Sequence, residues 1–147
     1  TVYRDWFAWA AERSRNPLCY NGDLVTVEDC GAFEADFPAI DAVMIGRGAV
    51  ADPALFRKLR GGTPATRREI QTFTRTLYQS YQEFYGQVGP AAQRMKEVWF
   101  FLIHLFEGGE RHHKRMRRLR TPAEYEAVEA AIFQELPLRD HAEGAFG

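Results

Sequence analysis

Two short apolar runs, each closed by a glycine-bearing turn and lying one β/α unit apart, restrict what the first part of this chain can fold into. Leu18 to Tyr20 ends in Asn21-Gly22-Asp23, and Ala42 to Ile45 ends in Gly46-Arg47-Gly48. Between them Thr26 and Asp29 have capping-box spacing, and Val27, Cys30 and Phe33 or Phe37 supply the apolar positions of a helix that Pro38 closes. Residues 3–14 predict a helix before the first run, with Trp6, Phe7 and Ala10 toward a core. Asp52 followed by Pro53 predicts a short helix after the second run, stopped by Gly61-Gly62. Strand, turn and helix in alternation imply parallel strands joined by crossover helices, and strands of that kind are buried.

After Gly62 the pattern changes. Thr66 and Glu69 make a second capping box, opening a helix to about Tyr85 with a stripe of Ile70, Phe73, Leu77, Tyr81 and Phe84. Gly86 and Gly89-Pro90 precede a helix over roughly 91–107, with Met95, Val98, Trp99, Leu102 and Phe106 inward. A basic helix over 110–119 follows, then one opened by Thr121-Pro122 and Glu124, with Tyr125, Val128, Ile132 and Leu136 on its apolar face. Short loops between such helices predict an antiparallel bundle. Residues 139–147 predict a frayed tail.

The chain thus divides into two parts: residues 1–62, α/β, and residues 63–147, all α. Two parallel strands cannot close a barrel, which needs eight and roughly 250 residues. Residues 1–62 are therefore expected to be the end of something larger, and the start at Thr1 without Met fits that expectation. An open strand edge in such a piece is expected to drive self-association.

Composition excludes several classes. Of 147 residues 46% are hydrophobic and 27% charged, which is enough apolar material for a packed core. The longest apolar run, Val98 to Phe106, is interrupted by His104 and falls far short of the ~20 residues of a membrane span. Cys19 and Cys30 have neither metal nor disulfide spacing, which fits a reducing cytoplasm; both are expected to be buried and inert. Net charge is −1, so no general nucleic-acid signature exists, yet six Arg or Lys residues crowd Arg111 to Arg120. Arg111, Lys114, Arg115 and Arg118 share one helical face, as a phosphate-backbone contact requires, with Arg94 and Lys96 as weaker candidates. In an arbitrary protein such a ridge is more often a solvated face balanced by nearby Glu residues. His112-His113 is not a metal pair, because adjacent helical side chains point about 100° apart, and no metal site is expected. His104 reads as a satisfied, partly buried histidine, and Trp99, Phe100 and Phe101 read as core.

The two turns can converge backbone N–H groups on an anion, because glycine removes the Cβ that would block close approach. A lone Asn-Gly-Asp is an ordinary turn; the pair at one β/α-unit separation is much more specific. In barrel enzymes the loops after strands seven and eight frequently bind phosphate.

The stretch Tyr20-Asn21-Gly22-Asp23-Leu24, then Val27-Glu28-Asp29, Val43-Met44-Ile45-Gly46-Arg47-Gly48-Ala49 and Asp52-Pro53-Ala54-Leu55-Phe56 resembles the closing signature of tRNA-dihydrouridine synthases. The resemblance is strong over residues 16–60 and looser over the helices, through Tyr85-Gly86 and Arg94-Met95-Lys96. It implies the last two β/α units of a TIM (β/α)8 barrel followed by a helical tRNA-binding domain. It assigns Asn21, Gly22, Asp23, Gly46 and Arg47 to the phosphate and ribityl side of FMN, and implies reduction of the C5–C6 bond of uridine in tRNA, with NADPH as reductant. The family's catalytic cysteine lies on an earlier loop, and neither Cys19 nor Cys30 matches it, so the chain alone is expected to be inactive. Two rivals stand: another FMN- or phosphate-binding barrel oxidoreductase, and a helical RNA- or protein-binding module without catalysis.

Overall fold

A computed structural model describes residues 3–145. Helix α1 (Arg4–Arg13) leads into strand β1 (Cys19–Asn21), helix α2 (Val27–Asp36) and strand β2 (Ala42–Met44). Two one-turn helices follow, α3 (Arg47–Ala51) and α4 (Leu55–Leu59). The rest is helical: α5 (Arg67–Tyr85), α6 (Val88–Leu102) with a 3-10 turn at Ile103–Leu105, α7 (Glu110–Arg118) and α8 (Pro122–Glu135).

The strands pair in parallel, Tyr20 opposite Val43 and Asn21 opposite Met44. Both expected capping boxes form, at Thr26/Asp29 and Thr66/Glu69, and a third forms at the expected helix start Thr121/Glu124, each with reciprocal side-chain-to-backbone hydrogen bonds. They set the starts of α2, α5 and α8 to the residue, because each satisfies amide groups that have no partner inside the helix.

An aromatic nucleus holds the β/α part. Tyr20 stacks on Phe33 with ring centroids 4.1 Å apart, and Phe7 packs edge-on to Tyr20 at 4.9 Å and to Phe37 at 5.4 Å. The sequence overstates burial outside this nucleus. Trp6 is 67% exposed, because α1 packs through its Phe7 side alone. Strand β2 is exposed throughout, with Met44 at 56%, and Cys19 is exposed rather than buried. Side chains alternate along a strand, so Tyr20 enters the nucleus while Cys19 and Asn21 face outward.

Asp52 does not cap a helix beginning at Pro53. It closes α3, its Oδ1 accepts the Ala54 N–H at 3.0 Å, and α4 begins only at Leu55. The Asp-Pro step thus makes a side-chain-stabilised turn. The Asp52 carboxylate is buried and forms an ion pair with Lys58.

Helices α5 to α8 enclose the main core, centred on Trp99, Tyr125, Phe106, Met95, Leu102 and Ile132. Met116 and Leu119 of the basic segment face into it, as do all the positions expected of α8. Of the stripe expected on α5, Ile70 is buried and Phe73, Leu77 and Tyr81 pack partly buried against the core, joined by buried Thr74 and Tyr78, whereas Phe84 is 80% exposed. Phe100 is also exposed. Helix α6 starts at Val88, three residues before the expected position, because Pro90 lies in its first turn, where no amide partner is needed.

The described part of the tail is not frayed. Arg139 N–H donates to Leu105 O at 2.8 Å and Glu143 N–H to His104 O at 3.0 Å. Ala142 and Ala145 are buried with Val25, Ala51 and Phe101, and Lys58 Nζ donates to Asp140 O at 2.6 Å. The tail therefore knits the β/α part to the helices.

Candidate functional site

Because β1 and β2 run parallel and in register, their C-terminal turns fall side by side. Leu24, buried, anchors the first turn, and its N–H donates to Gly22 O at 2.9 Å. Helix α3 starts within the second, with Gly46 as N-cap and Arg47 as first residue. The turns are joined by an ion pair between Arg47 and Asp23. Arg47 is 58% exposed and Asp23 27%, so the guanidinium stands at the surface with the carboxylate behind it.

Two glycines do different work. A Cβ on Gly46 would meet nothing within 4 Å, so its backbone faces open space. A Cβ on Gly48 would collide with the carbonyl oxygen of Leu24, so Gly48 is what lets α3 press against the first turn. The sequence pointed to Gly46 and passed over Gly48; a second glycine two residues on was the available signal. All five expected residues, Asn21, Gly22, Asp23, Gly46 and Arg47, sit at this one end of the strand pair. The chemistry suits an anion, with exposed guanidinium and helix-start amides, while Asp23 offsets part of the charge.

The second cluster is α7. Arg111, Lys114, Arg115 and Arg118 are exposed, while His112, Met116 and Leu119 turn inward. Among the described residues none of these four cations has an ion-pair partner, nor has Arg117 or Arg120. Elsewhere cations are largely engaged: Arg57 grips both oxygens of Glu69, and Arg67 donates to the carbonyls of Phe133 and Leu136. A cluster of exposed cations without ion-pair partners has the chemistry to contact a polyanion. Arg94 does not join them, being paired to Glu97 on its own helix. Lys96 Nζ donates to Leu119 O at 3.1 Å, which places it under the C-terminal end of α7.

Two histidines of the helical part have polar partners. His112 Nε2 meets Glu135 at 2.9 Å, and His104 Nδ1 lies 2.9 Å from Glu143 O. Burial pushes the His113 pKa down, with His104 and Arg117 adding to it. Among the described residues no group of three or more His, Cys, Asp or Glu could hold a metal, and no helix is long and apolar enough to cross a membrane. Burial, then Asp29 and Glu34, push the Cys30 thiol up, the reverse of what a reactive thiol needs.

Sequence reasoning missed a polar network inside the helices. Tyr125 O–H donates to Glu129 Oε1 at 2.9 Å and accepts from Trp99 Nε1 at 3.4 Å. Burial pushes Glu129 above the usual carboxylate range.

The described residues thus form a parallel β/α segment with paired glycine turns, joined to helices that carry an exposed cationic face. The family model for dihydrouridine synthase (Dus) matches residues 10–137, and the chain belongs to that family. It is 32% identical over 135 residues to a tRNA-dihydrouridine(16) synthase of Cupriavidus necator, a match covering 84% of this chain and 39% of the relative. Over 57 residues it is 46% identical to the protein of the same name from Ralstonia nicotianae, covering 39% of this chain and 17% of that one. A third, from Pseudomonas syringae pv. tomato, is 34% identical over 89 residues, covering 52% and 26%. The chain thus spans well under half the length of the relatives it matches.

Proposed function

We propose that this chain is the C-terminal part of a flavin-dependent tRNA-dihydrouridine synthase: the last two β/α units of its barrel (residues 1–62) and its helical tRNA-binding domain (residues 63–147). The carrying observation is a family match that runs through both parts, residues 10–137. Bound FMN, reduced by NADPH, would supply the hydride chemistry at the uridine C5–C6 bond.

The residues present fit the flavin phosphate. The open backbone at Gly46 and the exposed Arg47 leave room and charge for it, and Asn21 and Gly22 add polar groups from the neighbouring turn. Asp23 orients Arg47 rather than touching phosphate, since two anions would repel. On the other side of the reaction, α7 grips the tRNA backbone through Arg111, Lys114, Arg115 and Arg118. Lys96 supports that helix from beneath, and Arg94 contributes at most a peripheral contact. A tRNA-modifying enzyme of this kind would act in the cytoplasm. The relatives' names make uridine 16 the proposed target.

The test is mass-spectrometric mapping of dihydrouridine in tRNA treated with the full-length protein and NADPH, beside the 147-residue chain alone. Dihydrouridine at position 16 with the first and none with the second is expected. Product elsewhere removes the position, and no product from the full-length protein removes the activity.

A further inference from the structure

Beside the cationic helix lies a cleft of about 300 Å3 lined by Arg115, Arg118, Leu119, Glu124, Ala127 and Val128, a volume at the lower end of ligand pockets. Its walls carry three chemistries. Arg115 and Arg118, exposed and one turn apart in the last turn of α7, form one rim. Leu119 and Val128, both buried, make an apolar floor, with exposed Ala127 at its edge.

Glu124 stands opposite. Its Oε2 accepts the N–H groups of Arg120 at 2.7 Å and Thr121 at 3.2 Å, which leaves Oε1 as the outward acceptor. Those amide bonds, that of Arg120 first, hold the carboxyl below its ordinary range, so it is ionised at neutral pH. The cap also fixes the side chain in place. The carbonyl end of α7 would repel an approaching phosphate; Lys96, donating to Leu119 O, neutralises it from beneath.

We propose that this cleft is a nucleotide subsite for one unstacked RNA residue whose base carries an exocyclic amine. Its phosphate lies against Arg115 and Arg118, its base covers Leu119 and Val128, and its amine donates to Glu124 Oε1. Guanine, adenine and cytosine meet that requirement. Uracil does not: where cytosine carries its amine, uracil has a carbonyl oxygen that repels the carboxylate, and its one base-pairing-edge donor, the ring N3–H, lies between two such oxygens. Proteins read RNA sequence at loops and bulges, where a base can leave the stack, and a carboxylate accepting a base amine is a known discriminating contact. The inference rests on the reading of α7 as an RNA-binding helix and adds base selectivity to it.

Binding of hairpin RNAs by the 147-residue chain, followed by fluorescence anisotropy, tests this. The hairpins are identical except for a single bulged G, A, C or U, with a fully paired hairpin as reference. The amino-bearing bulges are expected to bind roughly five- to tenfold tighter than U, the scale of one such contact. Glu124→Gln keeps an oxygen on the two amides and turns an NH2 toward the cleft, so preference should shift to U. Ala127→Phe, at an exposed position, should fill the cleft and abolish preference while the paired hairpin binds as before. Equal binding of all four bulges, with salt-sensitive binding of the paired hairpin retained, overturns the subsite and leaves the α7 reading standing. Failure of every hairpin to bind overturns both.

Discussion

Arg47 and Asp23 show how a single pair decides the character of a turn. Alone, an exposed guanidinium would be a free anion hook; tied to Asp23 it is oriented and partly neutralised. If Arg47 contacts flavin phosphate, Arg47→Ala in the full-length protein should weaken FMN binding about ten- to a hundredfold, the range of a charge-assisted contact. Flavin occupancy after dialysis, read by absorbance, checks it; unchanged occupancy removes Arg47 from the site. Glu129 offers a second residue-scale case. Burial raises its folded pKa, so the folded state binds the proton more tightly than the unfolded one. Its contribution is then fully present below the unfolded carboxyl pKa and is lost as pH rises through the raised value. Glu129→Gln imitates the protonated form and can still accept from Tyr125. It should raise Tm at pH 8 by about 2–4 °C, what roughly 1 kcal/mol is worth at this size, with the gain vanishing at low pH. A constant gain across pH, in calorimetry from pH 4 to 8, would contradict the assignment.

Among the elements, those announced by local chemistry were legible in the sequence and those decided by neighbours were not. Capping boxes at Thr26, Thr66 and Thr121 located three helices, because the signal and its partner lie three residues apart. Asp52-Pro53 has the same look, yet the half-buried Lys58 and the Ala54 amide claim Asp52, and only tertiary placement reveals that. The tail has no periodic apolar pattern, so the burial of Ala142 and Ala145 against Val25 and Ala51 was invisible. Both turns of the proposed phosphate site were legible by residue type, and their juxtaposition followed from parallel pairing; the close approach of Gly48 to Leu24 was not. The cationic face of α7 was legible because helical spacing alone sets it, and the structure adds that its charges are free. Changing Arg111, Lys114, Arg115 and Arg118 together to Glu should weaken tRNA binding by the full-length protein, leaving FMN binding and Tm nearly unchanged. The slope of log affinity against log salt should fall by about 0.7–0.9 for each phosphate no longer neutralised. Equal affinity and slope in the mutant would return α7 to a solvated face.

At the scale of the molecule the two parts differ in how well they are covered. The helices enclose a continuous core, whereas the β/α part leaves Tyr3, Trp6 and Trp9 exposed before β1 and Val43 and Met44 exposed on β2. Each strand has one unpaired edge, since the sheet has two strands among the described residues. Parallel strands are ordinarily covered on both faces, and an open edge beside apolar side chains is a template for pairing with another chain. In a full-length protein of the proposed kind, further barrel units would occupy these positions. The 147-residue chain by itself should instead self-associate through residues 1–60, and its weight-average mass in light scattering should rise with concentration. Replacing Val43 and Met44 together by Lys should return the mass toward the monomer, because the cations keep β2 from pairing without touching the Tyr20–Phe33 nucleus. The cationic α7 lies outside that surface, so its reversal should leave the association unchanged. A monodisperse monomer of the unmodified chain at high concentration would show that the exposed strand is not a pairing edge.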